Sequence, residues 1–263
     1  MTELPSGGLI RLLDRYRHPS ISRGLFELAI TAAALSGIWA VAFLVFHLGL
    51  WWIALLLTIP AGVFLVRLFM IQHDCGHGSF MPSKAANDWI GRVLGIFTLT
   101  PYDYWRRAHA IHHATAGNLD RRNNMGDIKT LTVDEYLALN WLGRLGYRLY
   151  RNPLVTFLIG PHYIFLFWSR FTGPHSGKRE RNNLYLTNVA LYAIWGTAIW
   201  ALGLKTFLML WAPVIMIGGS TGVWLFYVQH QYENTYWRRG KDWDYATAAL
   251  QGSSYFVMPR LMH

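Results

Sequence analysis

Four stretches of this chain are each long and apolar enough to cross a bilayer, and they come in two closely spaced pairs. A hydrocarbon core about 30 Å thick needs about 20 mostly apolar residues in a helix. The first stretch runs from Phe26 to Leu48, the second from Leu50 to Gln72, the third from Leu184 to Leu204 and the fourth from Thr206 to His230. Almost nothing separates the members of a pair, around His47–Trp51 and Gly203–Lys205, so each pair reads as a transmembrane hairpin. The first stretch starts well inside the chain and is followed at once by another, unlike a signal peptide. Only 14% of the residues are charged, against about 25% in a soluble protein, which is too few to coat a water-facing surface. A single cysteine excludes a disulfide scaffold.

The charges that remain are unevenly placed. The chain carries 24 Lys and Arg against 14 Asp and Glu, a net +10. Most of the excess lies in the loop 73–183 and in the two terminal segments, whereas the two short turns hold Lys205 alone. The positive-inside rule therefore puts both termini and the long loop in the cytoplasm. This distribution accounts for the basic balance without nucleic acid. Within the loop, Trp89–Thr100 and Leu154–Trp168 are apolar but short or interrupted, by Pro101 and by Gly160-Pro161, and read as helices lying in the interface. Were the second a true span, everything after it would invert and Arg170–Arg181 would face the wrong side. The expected architecture is all-α and integral to the membrane. It comprises a first hairpin over 26–72, a cytoplasmic cap of interfacial helices over 73–183, a second hairpin over 184–230 and a cytoplasmic tail over 231–263, all one domain spanning 1–263.

Five of the 11 histidines fall into two tight clusters. His73-Asp74-Cys75-Gly76-His77 places two imidazoles four residues apart at the inner end of the second span. On a helix, residues i and i+4 share a face and can bind one metal. His109-Ala110-Ile111-His112-His113 supplies i, i+3 and i+4, a face of three imidazoles. One such pair arises readily by chance, but two clusters at one membrane face do not. His230 ends the fourth span and should emerge at that same face, where it reads equally as a ligand or as a hydrated helix end. His18, His47, His162 and His175 stand outside the clusters and are expected to be bystanders. Imidazole sites suit Zn, Cu, Fe or Ni. Five or six neutral nitrogens are too many for one tetrahedral zinc, so two metals are expected, with redox iron beside the bilayer the natural candidate for activating oxygen next to a lipid chain.

Three segments carry a resemblance. HDCGHGSF (His73–Phe80), HAIHHATAGNLD (His109–Asp120) and VQHQYENTYW (Val228–Trp237) resemble the membrane fatty acid desaturases, and most closely the acyl-lipid ω-6, or Δ12-type, branch. The similarity extends from about residue 70 to the C-terminus. It implies a four-span helical fold with a cytoplasmic cap, and a non-haem di-iron centre that uses O₂ and two electrons to place a cis double bond in an acyl chain. His73 and His77 match the first histidine box, His109, His112 and His113 the second, and His230 a further ligand position. Asp74 and Asp120 become candidates for orienting imidazole N–H groups, and Trp105, Tyr104 and Trp224 for the wall of a bent apolar tunnel. The family carries another HxxHH shortly after a segment like Tyr255-Phe256-Val257-Met258-Pro259, and this sequence stops at His263. The resemblance thus leads to the expectation of a C-terminally truncated chain that holds iron weakly or not at all and lacks activity of its own. No HPGG haem-binding motif is present, so an external electron donor, ferredoxin or cytochrome b5-like, is implied. A hydroxylase or carotenoid ketolase on the same scaffold, a non-catalytic membrane remnant and a bis-His haem protein remain open at this point.

Overall fold

The computed structural model describes residues 18–122, 127–173 and 176–255, and helix is the only extended regular structure among them. Four long helices dominate: α1 (Ile21–His47), α2 (Trp51–His77), α7 (Lys178–Leu202) and α8 (Leu204–His230). Among the described residues these are the four helices with the length and hydropathy to cross a membrane, and they form the two expected hairpins. Shorter helices fill the loop between them: α3 (Lys84–Phe97), α4 (Tyr102–Thr115), α5 (Val133–Ala138) and α6 (Trp141–Tyr150). After α8 comes α9 (Tyr245–Gln251).

The helices outrun the apolar stretches that announce them. α2 continues five residues past Gln72 and α7 starts six residues before Leu184. At 1.5 Å per residue the 27-residue α2 and α8 are about 40 Å long, about 10 Å more than the hydrocarbon core. Hydropathy marks only the part in lipid, whereas backbone hydrogen bonding carries the helix on into the polar layer. On α2 that overrun, about a turn and a half past Gln72, is the part that carries the His73–His77 pair.

Packing sorts the four spans into two roles. In the most apolar part of each, 33% of α2 and 28% of α8 is buried, against 11% of α1 and 17% of α7. So α2 and α8 form the centre, and α1 and α7 turn mostly toward lipid. Where α2 meets α8, a Cβ added to Gly62 would lie 2.6 Å from Ile217 Cγ2, and one added to Gly218 2.9 Å from Leu65 Cδ2. Lipid supplies no hydrophobic drive between helices, so close approach at small residues takes its place. The charges inside the first hairpin neutralise one another. Arg67 Nη2 donates to Glu27 Oε2 at 2.5 Å and Arg67 Nε to Thr31 Oγ1 at 3.0 Å.

α3 lies where an interfacial helix was expected. Trp89, Val93 and Phe97 form an exposed apolar stripe at i, i+4 and i+8, while Asn87, Asp88, Gly91 and Leu94 face inward and are buried. The Leu154–Trp168 stretch departs from a single helix. Val155–Ile159 and Tyr163–Phe167 are wide π turns on either side of the short α turn Gly160–His162, and the 3₁₀ turn Trp168–Arg170 closes the segment. Pro161 has no N–H to donate back along an α-helix, so the ladder shifts register around it.

Candidate metal centre

The first histidine pair stands on the last turn of α2, which ends at Gly78 in the left-handed conformation with φ 71°. α4 is then fastened across that end. Buried Tyr102 donates its hydroxyl to the Cys75 carbonyl at 2.8 Å, and Arg106 Nε donates to the Gly76 carbonyl at 3.2 Å. Gln72, fully buried, accepts from Thr98 Oγ1 and donates to the Thr100 carbonyl, which ties α2 to the turn before α4. On its other side α4 is held by ions: Asp103 takes Arg92 and Arg179, and Arg107 pairs with Glu180. Asp88 collects Lys84, Arg106 and Arg179, and those cations outweigh its burial and hold its carboxyl below the ordinary range. The orientation of α4 relative to α2 is thus fixed by buried polar contacts from three directions.

That orientation brings four imidazoles together. His77 Nε2 lies 3.3 Å from His73 Nε2 and 3.0 Å from His109 Nε2, and His109 Nε2 lies 3.0 Å from His113 Nε2. One nitrogen from each of the four falls within 4.8 Å of all the others. A neutral ring nitrogen has either one hydrogen or one lone pair, so His77 and His109, each touching two neighbours, cannot both be satisfied by simple hydrogen bonds along this row. A single cation accepting four lone pairs satisfies the whole set. Nitrogens about 2.1 Å from a shared ion are about 3.0 Å apart when cis in an octahedron and about 3.4 Å apart in a tetrahedron, and the three contacts fall in that interval. Burial, reinforced by neighbouring imidazoles, pushes His109 down to about 2 and His113 down to about 4. Both rings are therefore neutral at pH 7, the form that ligates. The quartet fits a divalent metal.

His112 turns away from the quartet. Its Nε2 lies 3.2 Å from His230 Nε2, and its Nδ1 faces Asp127 Oδ1 at hydrogen-bond distance. His230 in turn donates through Nδ1 to the Gly252 carbonyl at 3.1 Å. Each of these rings has its Nδ1 engaged by an oxygen and its Nε2 presented to the other. A cavity of about 30 Å³ adjoins the pair, lined by Asp127, Arg122, Phe226 and Gln231 among others, and Arg122 Nε and Nη1 are buried there without a partner among the described residues. So the six histidines singled out from the sequence form a group of four and a group of two. They are bridged by α4, where the His109 and His112 rings stack with centroids 6.0 Å apart.

The other sequence candidates divide as follows. Asp74 Oδ1 is 3.4 Å from His73 Nδ1, in reach of the expected role. Asp120 meets no imidazole among the described residues. It accepts from Arg239 Nη1 at 2.9 Å and from the Gly240 N–H at 2.7 Å, fastening the segment after α8 to the loop after α4. A second acid that meets a histidine is Asp127, 15 residues after its partner His112. No helical spacing links the two, so periodicity had no means of finding it. Trp105 stacks on His109 with centroids 4.8 Å apart and an angle of 15°, whereas Tyr104 packs against Gly173, away from the quartet. His162 Nδ1 faces the Leu158 carbonyl. His175 and His263 lie outside the described residues.

Known proteins provide an independent comparison. A family model for fatty acid desaturases matches residues 50–262. A fatty acid desaturase of Bacillus subtilis (strain 168) is 41% identical over 254 residues, covering 97% of this chain and 72% of that protein. An sn-1 acyl-lipid omega-3 desaturase (ferredoxin) of Synechocystis sp. is 29% identical, over 88% of this chain and 64% of its own length. A Delta(12)-fatty-acid desaturase of Arabidopsis thaliana is 25% identical, over 77% of this chain and 56% of its own length. The chain thus spans less than two thirds of the second and third of these relatives.

Proposed function

The chain belongs to the fatty acid desaturases, a family of membrane oxidoreductases, and on that premise we propose that it is an O₂-dependent, non-haem di-iron desaturase that introduces a cis double bond into the acyl chain of a membrane lipid. The observation that carries the reading is the convergence of the His73, His77, His109 and His113 Nε2 atoms. In this reading the quartet holds one iron, and His112 with His230 contributes two nitrogens to a second. Bound iron supplies the oxidising power that removes hydrogen from an unactivated methylene pair.

The residues of the chain set the conditions for that chemistry. Burial keeps His109 and His113 neutral. Asp127 holds the His112 Nδ1 hydrogen, which fixes the tautomer and leaves Nε2 free to ligate. Trp105 stacks on His109 and lies 5.9 Å from His73 between ring centroids, which limits how these two rings of the quartet can turn. Phe226 packs against the pair in the same way, with its ring 5.0 Å from His112 and 5.2 Å from His230. The histidine face is assigned to the cytoplasm, where an external electron donor such as a ferredoxin would reach it. Similarity to Delta(12) and omega-3 relatives supports a double bond in the distal half of the chain, with Δ12 the assignment of choice.

The ligand set alters the expectation of weak iron binding, since four of the histidines already converge within the described residues. The chain, purified from membranes and loaded anaerobically with ferrous iron, is expected to retain at least one iron per chain, and His109→Ala to lose it. Lipids of a host expressing the chain with a ferredoxin are then read by mass spectrometry for a new double bond. A hydroxylated chain in its place would assign the hydroxylase chemistry, and a wild-type chain without iron would remove the reading altogether.

A further inference from the structure

Arg170 is a buried cation with no counter-ion among the described residues. It closes the Trp168–Arg170 turn, is 6% exposed, and is met by no carboxylate among the described residues. Its Nη1 donates to Asn188 Oδ1 at 3.0 Å, its Nη2 to the Leu99 carbonyl, and its Nε has no partner. Every oxygen around it is neutral. Burial without a compensating charge pushes the guanidinium down to about 10, yet it stays charged at pH 7. A buried uncompensated charge is costly, and the Asn188 Nδ2 bond to the Arg170 carbonyl at 2.9 Å holds the residue in place.

One of its two partners, Leu99, borders an apolar cavity. Leu99, at φ 57°, presents its carbonyl to Arg170 while its side chain lines a space of about 250 Å³ between the hairpins. Leu191, one turn along α7 from Asn188, lines the same wall, and Trp39, Trp195 and Trp211 contribute rings. The cavity continues along α7 to Leu202, about 16 Å from Leu191 at 1.5 Å per residue. No histidine borders it. On α2 its uppermost residue, Leu65, is about 12 Å along the axis from His73, and on α8 Ile215 is about 22 Å from His230. The end nearest Arg170 is the interfacial end, beside α3, and the far end approaches the opposite membrane face.

We propose that this cavity holds one acyl chain of a resident anionic phospholipid whose headgroup phosphate neutralises Arg170, a lipid separate from the chain at the histidine centre. A free anion would leave the apolar cavity empty, and a zwitterionic lipid would bring its own cation to the guanidinium. An anionic phospholipid meets both demands, with its head at the interface and its tail running toward the far side. The inference depends on the four helices spanning a membrane and not on the chemistry of the histidines.

The test is native mass spectrometry of the full chain in mild detergent, offered phosphatidylglycerol or phosphatidylcholine with identical acyl chains. One phosphatidylglycerol is expected to be retained, about ten-fold more tightly than phosphatidylcholine, the worth of one charge-assisted contact. Arg170→Gln should erase that preference. Ala198→Phe, which fills the tail chamber while leaving Arg170 in place, should lower retention of both lipids and keeps the test decisive should the Arg170 variant fail to fold. His109→Ala should retain lipid like wild type, because the two sites are separate. Equal binding of the two lipids, a preference that survives Arg170→Gln, retention unchanged by Ala198→Phe, or loss of lipid in His109→Ala would each overturn the proposal. So would inorganic phosphate stabilising the protein as much as phosphatidylglycerol, which would make the site one for free anions.

Discussion

His112 and His113 are neighbours in sequence and belong to different groups. One residue of α-helix rotates a side chain by about 100°, so His113 joins His109 and the α2 pair while His112 faces α8 and His230. The same rotation turns His112 toward Asp127, which lines one cavity with His112, Phe226 and His230. A ligand's outer hydrogen bond is typically worth 10–100-fold in metal affinity. Asp127→Ala is therefore expected to weaken metal binding at the His112–His230 pair by about that factor and to leave the quartet unchanged, with Asp127→Asn between the two. Anaerobic titration with cobalt, whose absorption reports the ligand set, reads the two steps separately. His162→Ala should alter neither, because its Nδ1 is turned to the Leu158 carbonyl within its own segment.

The elements hold these rings still through a few tight contacts. Gly91 on α3 leaves room for the Tyr102 ring, and a Cβ there would lie 2.2 Å from its Cε2. Gly91→Ala must displace the ring whose hydroxyl bonds the Cys75 carbonyl, two residues from His73 and from His77. We expect it to cost about 1–3 kcal/mol of stability, the usual range for overpacking, measured by unfolding in detergent, and to loosen the quartet's hold on metal. A second contact depends on pH. The segment after α8 is bound to the loop after α4 by Arg239, which spans Asp120 and Glu135. Hydrogen bonds from Arg122 and the Thr132 N–H lower Glu135 to about 2, and the Gly240 N–H and Arg239 lower Asp120. Groups depressed on folding contribute stability that is complete above their ordinary values, 4.5 and 3.8, and is lost as pH falls toward the folded values. The Leu119 and Gly240 amides, which bond the Arg238 carbonyl and Asp120, should therefore lose hydrogen-exchange protection between about pH 4.5 and 2, after correction for the intrinsic rate. Glu135→Gln should bring part of that loss to neutral pH.

At the scale of the whole molecule, the histidines join elements that lie far apart in sequence. The quartet links α2 to α4, and the pair links α4 to α8 across 118 residues of sequence. A metal bound at this junction binds the folded state and not the separated helices, so it should stabilise by linkage, about 2.7 kcal/mol at a hundred times its Kd. Ferrous iron added anaerobically is expected to raise the unfolding temperature of the wild-type chain. His109→Ala, which removes the nitrogen central to the row of contacts, should abolish that rise. A rise of equal size in the variant would place the bound iron elsewhere.

The sequence by itself determined the membrane, the two hairpins and the identity of the six histidines, because hydropathy and helical spacing are local properties that a single segment carries alone. It also led to the expectation of an interfacial helix where α3 lies, because an apolar stripe at i, i+4 and i+8 is a property of one helix. The tertiary structure decided the rest. Which imidazoles share an ion depends on how α4 is turned against α2, and that turn is set by Tyr102, Gln72, Arg106 and Asp103, residues with partners up to 80 positions away. Asp120, which sits in the motif, went to an arginine, and Asp127, which sits in no motif, went to a histidine. Arg170 looked like one more positive charge in a basic loop until folding buried it beside an apolar cavity. Burial and pairing over long separations are products of packing, and no periodicity in the chain encodes them.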